Sequence, residues 1–243
     1  MLSAPWCSAA QCMMSRLWKR QSGTYTLCIE GMAVGFGARP FADGIDAVYY
    51  VAQKNYPVEF AEMEFGVRIE RYSMHRDSGG PGTYRGGCGV IRDIRIIADE
   101  GILASRLENV TYPAWGVNGG HSGRPGRLIV NPGMPDEREL KPLSDNNCLR
   151  QGDLLRMLTP GGGWGDPLER DPARVRDDVL DGFVSLESAL VDYGVVLDPK
   201  TLEVDEAATH QRRRNTPRQT AMFHRGKYHR KKANEALTGE TRW

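Results

Sequence analysis

The sequence contains no apolar run of the length that a membrane-spanning helix requires. Such a helix needs about 20 consecutive, mostly apolar residues, whereas the mean hydropathy of this chain is −0.49. Residues 1–10 lack the basic start and the long apolar segment of a secretory signal peptide. We therefore expect no membrane span and no signal peptide, although a hydrophobic content of 40% is enough to form a core.

Cysteine is also scarce, and its spacing excludes the common cysteine-based sites. The chain has five cysteines, an odd number, and no CxxC pair or zinc-ligand spacing occurs among them. They are Cys7, Cys12, Cys28, Cys88 and Cys148. Reduced structural thiols are the expected state, which is typical of a cytoplasmic protein.

Several short catalytic motifs are missing as well. The sequence has no nucleophile elbow, no HExxH and no GxGxxG that opens a helix. The glycine run at residues 161–165 is not followed by the Lys-Ser/Thr pair of a phosphate-binding loop. The run instead favours a tight loop in which backbone passes close to backbone, because only glycine leaves room for that approach.

The net charge of +1 conceals an uneven distribution. Residues 208–243 contain ten Lys/Arg and two Glu, whereas residues 1–207 contain 22 basic and 29 acidic residues. A basic tail with few apolar residues is predicted to be disordered. The alternative is contact with nucleic-acid phosphates through the basic clusters at 212–214 and 229–232. We expect no nucleic-acid partner.

Most of the remaining pattern is typical of strands. Residues 67–74 and 90–98 alternate with the two-residue period of a strand, and the second is rich in β-branched residues. We predict that residues 101–108 pair with 90–98. Residues 57–64 are predicted to form a short helix.

The pattern changes near the end of the chain. Asp171 and Pro172 are a typical helix start, with a capping side chain followed by proline at the first helical position. Gly182 is predicted to end this helix, and Ser185 to start a second one that ends at Gly194.

The predicted fold class is therefore α+β. We expect a β-rich body with short strands and glycine-rich loops, two helices near its end and a disordered basic tail. The predicted divisions are a leader at residues 1–22, disordered or a short helix, a body at 23–207 and the tail at 208–243.

Three residues are the candidates for catalysis. Arg39 and Asp43 share one glycine-containing loop, where Arg binds carboxylates and Asp serves as a base or metal ligand. An Arg39–Asp43 pair that only braces the loop is an equal alternative. His121 lies in the loop GGHSG and is a candidate acid/base group. The alternative for His121 is a surface position, which is the more common one for a histidine without an acidic partner nearby, and the same applies to His75.

Several ordered motifs resemble those of the hydantoinase B/5-oxoprolinase family. The match covers about residues 24–206 and comprises DSGGPGTYRGGCGV (77–90), PAWGVNGG (113–120), TPGGGWGDPL (159–168), VLDG (179–182), DYGVVL (192–197) and the loop at 35–44. Two departures are VGFG at 34–37 and Trp164 at the family's aromatic position.

The resemblance implies an ATP-dependent enzyme that opens a cyclic amide, such as a hydantoin or 5-oxoproline. It implies that ATP is handled by an A-type partner subunit, and that a divalent metal is held by an Asp/His-rich half for which this chain has no counterpart. We therefore expect a truncated B-type subunit that needs its partner. The alternatives are a non-catalytic assembly module that binds the A-type subunit, or a subunit of a related ketone carboxylase.

Overall fold

The body of the protein is built from two antiparallel sheets that share one hydrophobic core. The computed structural model describes residues 12–19, 25–49, 54–110, 112–159 and 161–226. The first sheet has four strands in the order β2-β1-β5-β9, with bounds β1 Cys12–Lys19, β2 Tyr25–Gly31, β5 Glu100–Leu107 and β9 Leu143–Arg150. The second has five in the order β3-β4-β10-β7-β8, with bounds β3 Val67–Met74, β4 Val90–Ile96, β7 Arg127–Val130, β8 Arg138–Glu139 and β10 Leu154–Leu158.

The core takes side chains from both sheets and from the helix α1 (Val58–Phe65). Ile94 and Leu155 of the second sheet and Leu103 of the first have no exposed surface. Burying each such side chain stabilises the fold by about 1.5–3 kcal/mol. The α+β class with a sheet-rich body is confirmed.

Strand β4 also buries two charged residues, each of which has an oppositely charged partner. Arg92 is 1% exposed and lies 2.8 Å from a carboxylate oxygen of Glu30. Asp93 accepts from both Nε and Nη2 of Arg156, at 2.8 and 2.7 Å. Paired charges are the form in which a core tolerates ionised groups.

The predicted pairing of residues 101–108 with 90–98 is wrong. The strand itself forms as β5, but it pairs with β1 and β9 in the other sheet. Both edges of β4 are already taken, by β3 on one side and β10 on the other. The chain therefore has to cross to the four-stranded sheet after β4.

The predicted leader at residues 1–22 is corrected where the structure describes it. Residues 12–19 are neither disordered nor helical but form strand β1, at the centre of the four-stranded sheet. Its sequence shows little polar-apolar alternation, so the pattern did not predict a strand. Backbone pairing with β2 on one side and β5 on the other holds it in the sheet. The other residues of this segment lie outside the described part.

The two predicted helices near the end are present. Asp171 caps α2 (Pro172–Leu180) by accepting from Ala173 N–H at 2.9 Å, and Gly182 follows with φ +80°. Ser185 caps α3 (Leu186–Val191) by accepting from Ser188 N–H. These helices enclose a small second core of Val175, Val184, Ala189, Tyr193 and Val195.

The predicted disordered tail is also corrected over its first half. Residues Glu206–Asn215 form a further helix, α4, and β11 (Phe223–His224) pairs with β6 (Gly116–Val117). Thr209 is 3% exposed and accepts from Val196 N–H at 3.0 Å, so α4 is docked on the body. Residues 227–243 lie outside the described part. Within the described residues, every helix is too short or too polar to cross a membrane.

Candidate functional site

The glycine-rich loops predicted from sequence meet in one place, called here the glycine junction. It consists of the loops at 35–44, 78–89, 116–123 and 161–165. Gly80 N–H donates to the carbonyl of Gly161 at 2.7 Å, and Ala38 N–H donates to that of Gly162 at 2.9 Å. The loops are therefore joined by backbone hydrogen bonds as strands of a sheet are.

The junction has no space for side chains at its centre. A Cβ built on Gly35 would lie 1.8 Å from the carbonyl oxygen of Gly87, and one on Gly163 would lie 2.3 Å from that of Gly80. These distances are far below van der Waals contact, so the backbones could not approach with any residue but glycine. The run at 161–165 thus packs against backbone, as the spacing argument favours, and does not form an open phosphate cradle.

A cluster of buried and half-buried charges, called here the ion cluster, lies beside the junction. It comprises Asp43, Asp46, Arg85, Arg170 and Asp178. Asp178 of α2 accepts from Nε of Arg85 at 3.1 Å and from Nε of Arg170 at 3.0 Å. Arg85 also contacts Asp46 at 2.8 Å, and Arg170 forms a two-pronged pair with Asp43 at 2.7 and 2.9 Å.

The two outer carboxylates of the chain Asp43–Arg170–Asp178 respond differently to burial. Burial alone would raise the pKa of Asp43, but the hydrogen bond and charge of Arg170 lower that pKa below its usual value, with help from Arg85 N–H. For Asp178, burial raises the pKa more than Arg170 and Arg85 lower it. The side chain of Asp178 is 9% exposed against 22% for Asp43, which accounts for the difference.

The Arg39–Asp43 pair considered from sequence does not form. Arg39 is exposed and lies over the ring of Phe41, 5.3 Å from its centre. Asp43 contacts Arg170 and Arg174 instead. The reason is a tight turn between the two residues, in which Arg39 N–H donates to the Ala42 carbonyl at 2.9 Å. Bracing by Asp43 is real, but its partners come from the helical segment.

His121 lies beside the glycine run at Gly163. Its carbonyl accepts from Gly163 N–H at 3.1 Å, and its half-buried ring lies 5.1 Å from that of His224. Burial lowers the pKa of His121, although the charges of Asp192 and Asp166 oppose this. The imidazole is therefore neutral at pH 7 and can accept a proton.

Two other histidines have fixed hydrogen bonds. Nδ1 of His224 accepts from Ser122 N–H at 2.9 Å, so its proton is on Nε2 when the ring is neutral. Nδ1 of His75 lies 3.2 Å from the Thr159 carbonyl, which requires the proton on Nδ1. Burial lowers the pKa of His75.

The three predicted catalytic residues do not form one constellation. Among the described residues, no hydrogen bond or ion pair joins His121 to Arg39 or Asp43. Asp43 belongs to the ion cluster, whereas Ala38, next to Arg39, and His121 are bonded to two successive glycines of one run. No group of three or more His, Cys, Asp or Glu suited to a metal occurs in the described ranges.

Sequence reasoning missed the arginines and Asp178 of the ion cluster, and it missed His224. A signal for Asp178 does exist, because it lies three residues after Val175 and so shares a helical face with that apolar side chain. A carboxylate on an apolar face indicates a buried cation nearby. His224 carried no comparable signal, since it lies in the basic tail.

Comparison with known proteins identifies the class. The family model for hydantoinase B/oxoprolinase matches residues 1–167, so the chain belongs to the hydantoinase B/oxoprolinase family. The match includes residues 1–23, which precede the motifs quoted above, and all four loops of the glycine junction.

Two curated relatives show how much of the family's length is present. Caprolactamase subunit beta of Pseudomonas jessenii is 33% identical over 198 residues, which cover 77% of this chain and 34% of that subunit. The 5-oxoprolinase PfmaA of Pestalotiopsis fici is 31% identical over 164 residues, 63% of this chain and 12% of that protein. The chain thus spans a third or less of these relatives.

Solved structures share the fold. The crystal structure of ATP-dependent caprolactamase from Pseudomonas jessenii superposes with a TM-score of 0.69 at 26% identity, over 84% of this chain and 38% of that one. A nucleotide-free acetone carboxylase structure gives 0.68 at 20% identity, over 94% of this chain and 35% of that one. The second likeness concerns the fold alone.

The glycine junction generates a stability prediction. Gly163→Ala should lower the free energy of unfolding by about 3 kcal/mol or more, because its Cβ has to displace backbone. Urea unfolding followed by circular dichroism measures this. Gly133→Ala is the control, since it has φ +78° but open space around it, and should cost only about 1–2 kcal/mol. Equal losses for the two variants would contradict the account.

The ion cluster generates a prediction with a pH dependence. Asp43→Asn should lower the free energy of unfolding at pH 7 by about 3 kcal/mol, because it leaves buried Arg170 with one partner fewer. The folded-state pKa of Asp43 lies below its unfolded value, so its contribution is complete above pH 3.8 and is lost as pH falls through the folded pKa. The gap between wild type and variant should therefore narrow below pH 3.8.

Asp177→Asn is the matched control for this experiment. Asp177 lies on α2 next to Asp178 of the ion cluster and pairs with Arg176 at 2.7 Å, but its side chain is 56% exposed. Exposed pairs contribute about 0–1 kcal/mol. A loss at Asp177 as large as that at Asp43, or a gap that stays constant through the acid range, would contradict the role given to Asp43.

Proposed function

We propose that this chain supplies the two-sheet body of a B-type subunit in an ATP-dependent hydrolase that opens cyclic amides. The observation that carries the proposal is the family match, which spans every loop of the glycine junction. The similarity to caprolactamase subunit beta supports an amide ring as the substrate class. Hydantoin and 5-oxoproline are the rings that the family name suggests for this chain.

An A-type subunit is the partner in this proposal, and the proposed site of action is the cytoplasm. Support for a partner comes from the relative, which is named as a subunit. In the proposal the partner handles ATP, because the glycine run of this chain is filled by backbone and cannot cradle phosphate. No step is assigned here to a metal.

Two residues carry the proposed chemistry on this chain. His121 is half-buried and neutral, so it can take up or return a proton during ring opening. Arg39 is exposed and has a guanidinium suited to a carboxylate, such as that of 5-oxoproline. The glycine run fixes both positions, through Ala38 and through the carbonyl of His121.

A chimera tests the function. The segment of Pseudomonas jessenii caprolactamase subunit beta that matches this chain is replaced by this chain, and the subunit is purified with its partner. We expect ATP-dependent opening of caprolactam, hydantoin or 5-oxoproline, measured as ring-opened product per ATP hydrolysed. His121→Gln should lower kcat by about a hundredfold or more. His75→Gln, at another half-buried ring, should change kcat less than about threefold.

The outcomes are separable. A chimera that assembles and hydrolyses ATP but opens none of the three rings would sink the proposed substrate class. Equal losses for His121→Gln and His75→Gln would remove His121 from the chemistry while leaving the function intact. If the chimera does not assemble, the full chain is tested by co-purification with an A-type subunit, and failure there counts against the proposal.

A non-catalytic assembly role is the second candidate, favoured by an exposed apolar surface on α1. Met63 is 82% exposed and Phe60 is 46% exposed. The ring of Phe60 packs against Tyr56 and Phe65, at centre distances of 5.5 and 5.8 Å, so the surface is held in one shape. Apolar side chains presented together in this way are typical of protein–protein contacts.

Met63→Lys tests the assembly role. It should abolish co-purification with the A-type subunit, because a charge would be buried without a partner. Met134→Lys is the control, since Met134 is 60% exposed in a turn far along the chain. Pull-down yields measure both. Equal binding by the two variants would show that α1 is not the contact.

A further inference from the structure

A cavity lies where α4 meets the turn at Pro167–Glu169. Its volume is about 410 Å³, and its lining residues are Leu168, His210, Arg213, Arg214, Thr216 and Arg218. This volume is in the range of small-molecule sites, about 300–1,000 Å³. Three of these six lining residues are arginines, so the cavity is lined by cationic hydrogen-bond donors.

Arg213 is held in place at the wall of this cavity. Its Nε donates to the Tyr193 carbonyl at 3.0 Å, and its Nη2 donates to the Arg170 carbonyl at 2.7 Å. Both acceptors are neutral, and no carboxylate forms an ion pair with Arg213 among the described residues. Nη1 therefore keeps its N–H groups for a ligand, in an orientation that two hydrogen bonds have already fixed.

The other two arginines also have donors to spare. Arg214 makes no hydrogen bond or ion pair within the part of the chain that the structure describes. Arg218 uses only Nη1, which meets Asp166 at 2.9 Å and Glu169 at 2.8 Å. Its Nε and Nη2 remain available. Guanidinium groups with free N–H pairs bind phosphate in the two-pronged geometry that suits them.

Helix stabilisation explains part of this charge but not its arrangement. Arg212, Arg213 and Arg214 lie in the last turn of α4, where cations offset the negative end of the helix dipole. That end carries about half an elementary charge. The combined charge of Arg213 and Arg214 exceeds this half charge, since the carboxylates of Asp166 and Glu169 pair with Arg218 rather than with them.

The effect of burial on Arg213 also favours an anion in the cavity. Removal from water lowers the pKa of Arg213, despite the opposing charges of Asp166, Glu206 and Asp171. The nearby carboxylates thus do not replace the lost hydration in full. An anion in the cavity would do so.

We propose that this cavity binds the phosphate groups of a small molecule, with Arg213, Arg214 and Arg218 as the cationic ligands. The volume exceeds that of one phosphate, so the ligand class is a diphosphate or an organic phosphate. The apolar wall at Leu168 would face the non-phosphate part. This site is separate from the function proposed above and does not depend on it.

Isothermal titration calorimetry of the full chain with inorganic pyrophosphate tests the site. We expect a dissociation constant below about 1 mM at low salt, with weaker binding as salt is raised. Arg214→Ala should weaken binding about tenfold, since a charge-assisted pair is lost. Because Arg214 makes no hydrogen bond or ion pair within the described residues, its removal should lower the melting temperature only slightly, through the loss of one charge at the end of α4.

Arg212→Ala is the matched control. Arg212 has the same charge on the same helical turn but donates to the Leu190 carbonyl at 2.9 Å and does not line the cavity. The Arg212→Ala variant should bind pyrophosphate with an affinity within about twofold of that of the wild type. Malonate, a dicarboxylate of similar length, should bind at least about tenfold more weakly than pyrophosphate, because its planar groups present fewer oxygens.

Three results would overturn the proposal. The first is no binding of pyrophosphate at millimolar concentration. The second is an equal loss for Arg212→Ala and Arg214→Ala, which would reduce the effect to overall charge. The third is malonate binding as tight as pyrophosphate, which would remove the preference for phosphate.

Discussion

The crossing of four loops without side chains is the constraint on which the rest of the structure depends. Where Gly35 meets Gly87 and Gly80 meets Gly163, two backbones occupy the space that one residue with a Cβ would need. Such a crossing buries peptide groups, which are costly unless bonded. They are bonded, loop to loop, and so the segments between the strands are as ordered as the strands.

The ion cluster extends this order from the sheets to the helices. Asp178 comes from α2, Arg85 from a glycine loop and Arg170 from the turn before α2. One carboxylate therefore joins segments that are about 90 residues apart in sequence. Two guanidiniums on one buried carboxylate, and two carboxylates on Arg170, leave no isolated charge. This mutual satisfaction is why burial is tolerated despite the large cost of desolvation.

Local chemistry was predictable from sequence, and pairing across the chain was not. Alternation located β3 to the residue, and the Asp171-Pro172 start located α2. The sequence alone could not assign β5 to one of the two sheets, since that depends on which edges of β4 are free. The ordered tail was missed because α4 is polar and is held by few contacts, such as that of Thr209. Asp43 was singled out from its own loop. Its partners Arg170 and Arg174 were not, because they lie 127 and 131 residues away in the sequence.

The family's glycine motifs therefore mark geometry more directly than chemistry. Their residues have no side chains to react, and their backbone groups are engaged with one another. Residues beside them gain from this rigidity. Arg39 follows Ala38, whose N–H is bonded to Gly162, and His121 is bonded through its own carbonyl to Gly163. The roles proposed for Arg39 and His121 need placement to within about 0.5 Å, and the close backbone approach at the junction holds the backbones of these two loops.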